Sequence, residues 1–213
     1  DLDRPDQVAL SLVRAAEPIA ARDTLTRLVD DHPEFAEELE ADSLVRDAVV
    51  ALAAASRSLT TAFLQDPSLL EPLRDHAGFA IEIDDDVYGR SWDVARGEFD
   101  GTDSQALRWW KRRELLRVAA RDLLCVADVD SVAHDLARIA ATALGAAHDI
   151  ARTDFDGDTR MGIIGMGKLG GRELNYARDV DVLFVHDGDS EAAQRLALRI
   201  LDVMTEPDAG AIV

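Results

Sequence analysis

Asp179 and Asp181 stand two residues apart at the head of the apolar run Val182, Leu183, Phe184 and Val185. Residues i and i+2 of a strand project to the same side. The spacing therefore gathers two carboxylates whose repulsion a divalent cation such as Mg²⁺ relieves. Upstream lies GMGKLGG, residues 165–171, entered from Ile163 and Ile164 and closed by Gly170 and Gly171, with seven residues between Gly171 and Asp179. A glycine pair opening a short helix offers N–H groups to phosphate oxygens, and Lys168 adds a nearby cation. Metal beside a phosphate cradle equips a site for phosphoryl displacement, because it neutralises developing charge and aligns attacking and leaving oxygens. The D-x-D pattern alone is weak in so acidic a chain, since it recurs at 1/3, 84/86, 128/130, 154/156 and 187/189. Only the 179/181 pair combines an upstream Gly-Gly turn with a following apolar strand.

The elements that must position these groups are short. A strand over about 160–165, the glycine loop, a brief helix over 171–177 and a second strand over about 179–186 follow one another closely. Residues 187–190 then supply a turn and an N-cap for a helix with Ala193, Leu196, Ala197, Ile200, Leu201 and Met204 on one face. Before the loop 153–158 the texture is helical. Segments at roughly 6–21, 23–31, 43–64 and 67–75 lead to two longer helices. One runs over 103–125 with Trp109, Leu116, Ala119 and Leu123 on one side. The other carries Val132, Leu136, Ile139, Ala143, Ala147 and Ile150 as a stripe. The expected division is a helical region over 1–155 and the first part of an α/β unit over 156–213.

Three phosphate sites begin with such a loop. Gly162 to Lys168 satisfies G-x-x-x-x-G-K, but a P-loop needs a hydroxyl next to hold Mg²⁺, and Leu169 has none. Gly165, Gly167 and Gly170 make a full G-x-G-x-x-G, with Asp187 about 20 residues downstream where a ribose could be held. The few residues over 171–177 are too short for a crossover helix between parallel strands, which leaves dinucleotide binding as the weaker alternative. The nucleotidyltransferase arrangement uses the Gly-Gly turn and both aspartates.

Read whole, GMGKLGGRELNYARDVDVLFV resembles the nucleotidyltransferase signature of bacterial glutamine-synthetase adenylyltransferases, the adenylylating and deadenylylating enzymes. WWKRRELLR at 109–117, with Asp122, Leu123 and Leu124, is similar to that family's helical segment before the signature. The resemblance implies an α+β chain, a helical N-terminal region followed by part of a polymerase-β-like nucleotidyltransferase domain, a mixed sheet with flanking helices. It implies Asp179 and Asp181 as catalytic metal ligands for a two-Mg²⁺ site. Gly167, Lys168, Gly170, Gly171, Arg172 and Arg178 become candidate nucleotide and phosphate contacts, against the plainer reading of the two arginines as surface charges.

ATP, ADP or inorganic phosphate is the implied co-substrate, glutamine synthetase the protein substrate, and a PII-type nitrogen-signalling protein a regulator. The family carries two such domains. This signature looks more like the amino-terminal copy, which removes AMP from a tyrosine with phosphate and releases ADP. The adenylylating copy, or an interaction module with a vestigial nucleotide site, are the alternatives. Two departures stand out: Ala177 and Arg178 occupy the place where members often carry serine before the first aspartate. The third carboxylate of the fold is expected from a later strand, for which 210–213 is at most the start, so this piece alone is expected to be inactive.

Bulk properties fit this reading. Aromatics are 5% of the chain, so the core rests on Leu, Ala, Val and Ile. A net charge of −19 argues against general nucleic-acid affinity, which needs a cationic surface. The single Cys125 excludes an intrachain disulfide framework and fits a reducing, cytoplasmic setting. A buried, inert role is expected for it. No apolar run approaches membrane-spanning length. Asp154, Asp156 and Asp158 imitate an EF-hand opening, but Gly157 is misplaced and no glutamate closes it. At least one of Trp109 and Trp110 is expected in the core.

Overall fold

In the computed structural model the structure is described for residues 6–80, 85–176 and 180–205. These fall into two compact units, one within Asp1–Glu82 and Arg112–Val129, the other within Ile83–Lys111 and Asp130–Val213. The described residues are mostly helical with one small antiparallel sheet, in keeping with an α+β chain. Among the described residues no helix is long and apolar enough to cross a membrane.

The first unit is built from short helices, several of them started by a side chain that accepts otherwise unpaired N–H groups. Asp6 caps α1 (Gln7–Arg14), Asp42 caps α4 (Ser43–Ala55) through the N–H groups of Leu44 and Val45, and Ser56 caps α5 (Arg57–Gln65) through Leu59. The single helix expected over 43–64 is therefore two. Ser56 takes an extended backbone, and its hydroxyl begins the second. The segment expected at 6–21 also divides, because Pro18 starts α2 (Pro18–Asp31) where its missing N–H costs nothing. α3 (Glu34–Ala41) lies between them, where no helix was expected. Pro67–Arg74 is a 3₁₀ helix, with Pro72 inside it unable to donate an α-helical hydrogen bond.

Val45, Ala48, Val49 and Leu52 form the buried stripe of α4 and meet Ala21, Leu25 and Leu28 of α2 at the centre of this unit. Arg46 is buried among them because its charge is spent on hydrogen bonds. Nη1 donates to the carbonyls of Leu39 and Glu40, and Nε donates to Ser11 Oγ. Asp42 links the cap of α4 to α6 (His76–Ala80) through His76 Nε2 at 2.7 Å. Arg74 clasps Glu38 with two nitrogens and lies over the Phe35 ring.

In the second unit, α7 (Asp85–Glu98) buries Tyr88, Trp92 and Ala95 at helical spacing. Trp110 of α8 (Asp103–Leu123) is fully buried, edge-on to Trp92, and donates Nε1–H to Ser91 Oγ at 3.0 Å. The face expected on α8 is corrected. Within this unit Ala106, Leu107 and Trp110 are buried and Trp109 is only partly covered; in the part of α8 that belongs to the first unit, Leu116 and Ala119 are buried and Leu123 is exposed. Cys125, also of the first unit, lies beyond the helix end, exposed and in the left-handed region (φ 54°), not buried on a helix.

α9 (Val129–Arg152) buries Val132, Leu136, Ile139, Ala143 and Ala147 as its periodicity required. Strand β1 (Thr159–Gly165) pairs antiparallel with β2 (Val182–Gly188), with Gly165 opposite Val182 and Thr159 opposite Gly188. Antiparallel pairing removes the dinucleotide-binding alternative, which needs parallel strands joined by a crossover helix. Asp189 caps α11 (Ser190–Thr205), whose Ala192, Ala193, Leu196 and Ile200 are buried where that helix packs on both strands.

Burial opposes charge on the Asp42 carboxyl, yet hydrogen bonds from Val45 N–H, His76 and Leu44 N–H, together with the His76 charge, hold it below its ordinary 3.8. A depressed carboxyl stabilises the fold above the unfolded value and loses that contribution as pH falls through the folded one. Asp42→Ala is expected to cost about 1 kcal/mol at pH 7 through the lost cap. In thermal melts from pH 7 to 3, its deficit against the native chain should narrow below 3.8.

Candidate functional site

β1 ends at Gly165, and the chain turns at once into α10 (Gly167–Gly170), a single helical turn. Met166 N–H donates to the Asp181 carbonyl at 2.8 Å, which carries the β1–β2 ladder one step further and seats the turn beside the start of β2. Two glycines make the seat possible. Gly167 has φ +50°, and a Cβ there would stand 3.3 Å from Asp181 Oδ2. A Cβ on Gly170 would lie 2.5 Å from the Gly165 carbonyl oxygen. Leu169, the buried residue of the turn, and the buried Leu174 anchor it beneath.

The brief helix expected over 171–177 is not where the helical turn lies. The turn spans Gly167–Gly170, and Gly171 ends it instead of opening it. Gly170 N–H donates to Met166 O, Gly171 N–H to Gly167 O, Arg172 N–H to Leu169 O and Glu173 N–H to Lys168 O. These bonds fix the loop's shape. The N–H groups that a helical turn leaves without an intrahelical acceptor are the first ones, at Gly167, Lys168 and Leu169.

The Asp181 carboxylate thus reaches the front of the glycine turn at Gly167, while the Glu173 carboxyl carbon would stand 3.7 Å from a Cβ on Gly171. By strand alternation Asp181 falls on the side of Leu183 and Val185, a face whose apolar residues are half exposed: Ile164 48%, Leu183 51% and Val185 47%. Lys168, Gly170, Gly171 and Arg172 are exposed at the turn. Arg172 holds φ 59°, a left-handed conformation uncommon outside glycine. Asp179 and Arg178 lie outside the described residues. Among those that are described, no group of three or more His, Cys, Asp or Glu side chains is placed to hold a metal ion. Asp187, the ribose candidate of the dinucleotide reading, instead pairs with Arg160 at 2.7 Å.

The other face of β1 holds a feature that periodicity did not point to. A cleft of about 620 Å³ separates Met161 and Ile163 from α9, with Arg138, Gly145, His148 and Arg172 in its lining. The sequence signal was an absence of bulk, Ala137, Ala141 and Gly145 at i, i+4 and i+8 of one helix.

Over residues 46–203 the chain matches the family model described as Glutamate-ammonia ligase adenylyltransferase. It is 34% identical over 221 residues to a Streptomyces avermitilis protein named bifunctional glutamine synthetase adenylyltransferase/adenylyl-removing enzyme, which covers 95% of this chain and 22% of that protein. Proteins of the same name from Mycolicibacterium smegmatis and Chromobacterium violaceum are 29% and 25% identical, over 86% and 98% of this chain and 19% and 23% of theirs. The chain therefore spans about a fifth of the length of these curated relatives. The matched stretch includes the glycine turn, Asp181 and both strands, and the chain belongs to the glutamate–ammonia ligase adenylyltransferase family.

Proposed function

We propose that this chain forms part of the adenylyl-removing half of a glutamine-synthetase-modifying enzyme, with its phosphate and metal site at the corner between α10 and β2. The observation that carries the reading is the Asp181 carboxylate at the glycine turn, held there by the Met166–Asp181 backbone bond. In this reading Asp179 and Asp181 hold Mg²⁺, which supplies charge neutralisation at the reacting phosphorus. An exposed carboxylate one residue before β2, which starts at Val182 and not at about 179, is a suitable hard oxygen donor for that ion. Gly167, Lys168, Gly170, Gly171 and Arg172 receive the phosphate oxygens, the glycines by allowing close approach and the two cations by charge. Arg178 is assigned to the same set from the sequence.

The reaction is an in-line displacement. An oxygen of inorganic phosphate bonds to the AMP phosphorus, the phosphorus–oxygen bond to the tyrosine breaks, and the phenolate leaves and takes up a proton. ADP and unmodified tyrosine result. Lys168 and Arg172 serve to hold the incoming phosphate against repulsion from the AMP group. Glutamine synthetase is the proposed protein substrate, and a PII-type signalling protein the proposed regulator.

The test uses the protein expressed from its complete gene. It is supplied with adenylylated glutamine synthetase and phosphate, and separately with unmodified glutamine synthetase and ATP. ADP formation in the first assay that drops on the order of 100-fold or more in Asp181→Asn supports the reading. Loss of AMP attachment alone assigns the site to the adenylylating reaction. Unchanged turnover in both assays, with no stabilisation by Mg²⁺ and ADP, assigns a vestigial site in an interaction module. Gly167→Ala probes the corner itself. A left-handed alanine costs roughly 1–2 kcal/mol, and its methyl group crowds Asp181. The turnover deficit at 20 °C should therefore exceed tenfold while circular dichroism shows the protein still folded.

A further inference from the structure

We infer that the exposed front of the β1–β2 ribbon receives the protein substrate, which lays along it the apolar, extended peptide beside its modified tyrosine. The inference rests on the reading proposed above and adds to it the surface by which that substrate is recognised.

Register fixes which side chains share this front. Arg160 stands opposite Asp187, Gly162 opposite Val185, and Ile164 opposite Leu183. The backbone bond from Met166 to Asp181 adds a fourth rung, with Met166 still in extended conformation (φ −110°, ψ 171°). Residues two apart on a strand project to the same side, so these four rungs present one face. Met161, Ile163 and Phe184 alternate to the other, less exposed face.

On the front, Ile164, Met166, Leu183 and Val185 are each about half exposed. Single apolar residues on a surface are ordinary, whereas a contiguous group marks a place of interaction. The Asp181 carboxylate bounds this group at one end, and the Arg160–Asp187 ion pair bounds it at the other. From Asp181 to Asp187 the strand runs roughly 20 Å, the length of about six residues of extended peptide.

Gly162 cuts a notch in the ribbon. Its φ is not in the left-handed region, and a Cβ there would come no nearer than 4.0 Å to the Val185 carbonyl oxygen. Neither backbone strain nor packing among the described residues requires glycine at this point. A glycine inside a strand also marks a site where another backbone approaches closely, and that use accounts for it.

Asp181 decides what covers the ribbon. Met166 stands directly across from it, where paired Cβ atoms lie about 4.5–5.5 Å apart, and Leu183 follows on the same face. A tyrosine–AMP bond held at the Asp181 carboxylate therefore arrives over these side chains. A segment of the protein's own chain fixed on Met166 and Leu183 would stand in the substrate's place. A nucleoside is held in a concave site that covers most of its surface. The front side chains lie outside the cleft described above, which Met161 and Ile163 line. A strip of half-exposed apolar side chains suits a second protein surface instead. The phenolic oxygen sits at the corner, and the residues beside that tyrosine lie along the ribbon as far as the notch.

The test uses the protein expressed from its complete gene and immobilised, unmodified glutamine synthetase. That probe carries no AMP, so binding is read without metal, nucleotide or turnover. Ile164→Thr combined with Leu183→Thr removes apolar surface while keeping strand propensity, and Gly162→Val fills the notch with a residue that strands favour. Both variants are expected to raise the Kd for glutamine synthetase at least tenfold, and the KM for its adenylylated form with it. AMP affinity, titrated with Mg²⁺ by calorimetry, should stay within twofold, and Gly162→Val should melt no lower than the native protein. An unchanged Kd in both variants, or a native protein that binds no glutamine synthetase, overturns the inference. An equal loss of AMP affinity also overturns it and makes the ribbon a nucleoside surface. A lowered melting temperature of Gly162→Val with Kd unchanged overturns it too, and makes the ribbon an internal interface. Phosphorolysis by the native protein, lost in Asp181→Asn, would leave the proposed reaction standing in each of these cases. Ribbon-dependent binding by a native protein without turnover would support the inference and refute the reaction.

Discussion

The hydrogen bond from Met166 N–H to the Asp181 carbonyl, together with the close approach of Gly170 to the end of β1, is the constraint on which the local architecture rests. A two-stranded sheet has little stability of its own, and its register must be fixed from outside the ladder. Here the turn fixes it. With Gly165 held opposite Val182, the side chains of β1 and β2 are committed to their faces, because a slip of one residue would reverse all of them. Thr159, Met161, Ile163 and Phe184 then face the covering helices, and Asp181 faces away. The chemistry proposed for the corner and the cleft behind it both follow from this one registration.

The helices do their own part through burial and caps. α11 covers the sheet with four small or branched residues spaced along one face, and the loop before β1 is tied back through Arg199, which donates to the Thr153 carbonyl and lies over Phe155. In the other unit the buried Arg46 acts as a polar rivet, joining the ends of short helices that apolar contact alone would leave free to slide. A buried charge can rigidify an arrangement in this way when hydrogen bonds offset its desolvation, as those of Nε and Nη1 do here.

Spacing made the glycine turn legible, because a glycine-rich run entered from an apolar stretch has few other readings, and it singled out Asp181, which lies at that turn; Asp179 lies outside the described residues. The stripe of α9 was equally visible, since its large apolar residues recur with the helical period. Other features depended on facts that no one-dimensional pattern contains. The helical turn sits at Gly167–Gly170, and not further on, because Gly167 takes a positive φ and Gly170 fits against Gly165; both are tertiary conditions. The break at Ser56 hid in a continuous apolar texture, although its capping hydroxyl was there to be read. α7 went unseen because Gly89 and Gly97 dilute a helix whose covered face is carried by Tyr88, Trp92 and Ala95. The cleft escaped notice for the opposite reason: it is written in side chains that are too small.

The packing of Trp110 against Trp92 has an optical corollary. All three tryptophans, at 92, 109 and 110, and both tyrosines, at 88 and 176, belong to the unit that contains the sheet. The helical unit built around α4 holds phenylalanine as its sole aromatic type, with Phe35, Phe63 and Phe79 in its interior. Absorbance near 280 nm and intrinsic emission therefore report on one half of the chain and are blind to the other. Any event confined to the α4 bundle is spectroscopically dark at those wavelengths and registers only in the far-ultraviolet signal of its helices.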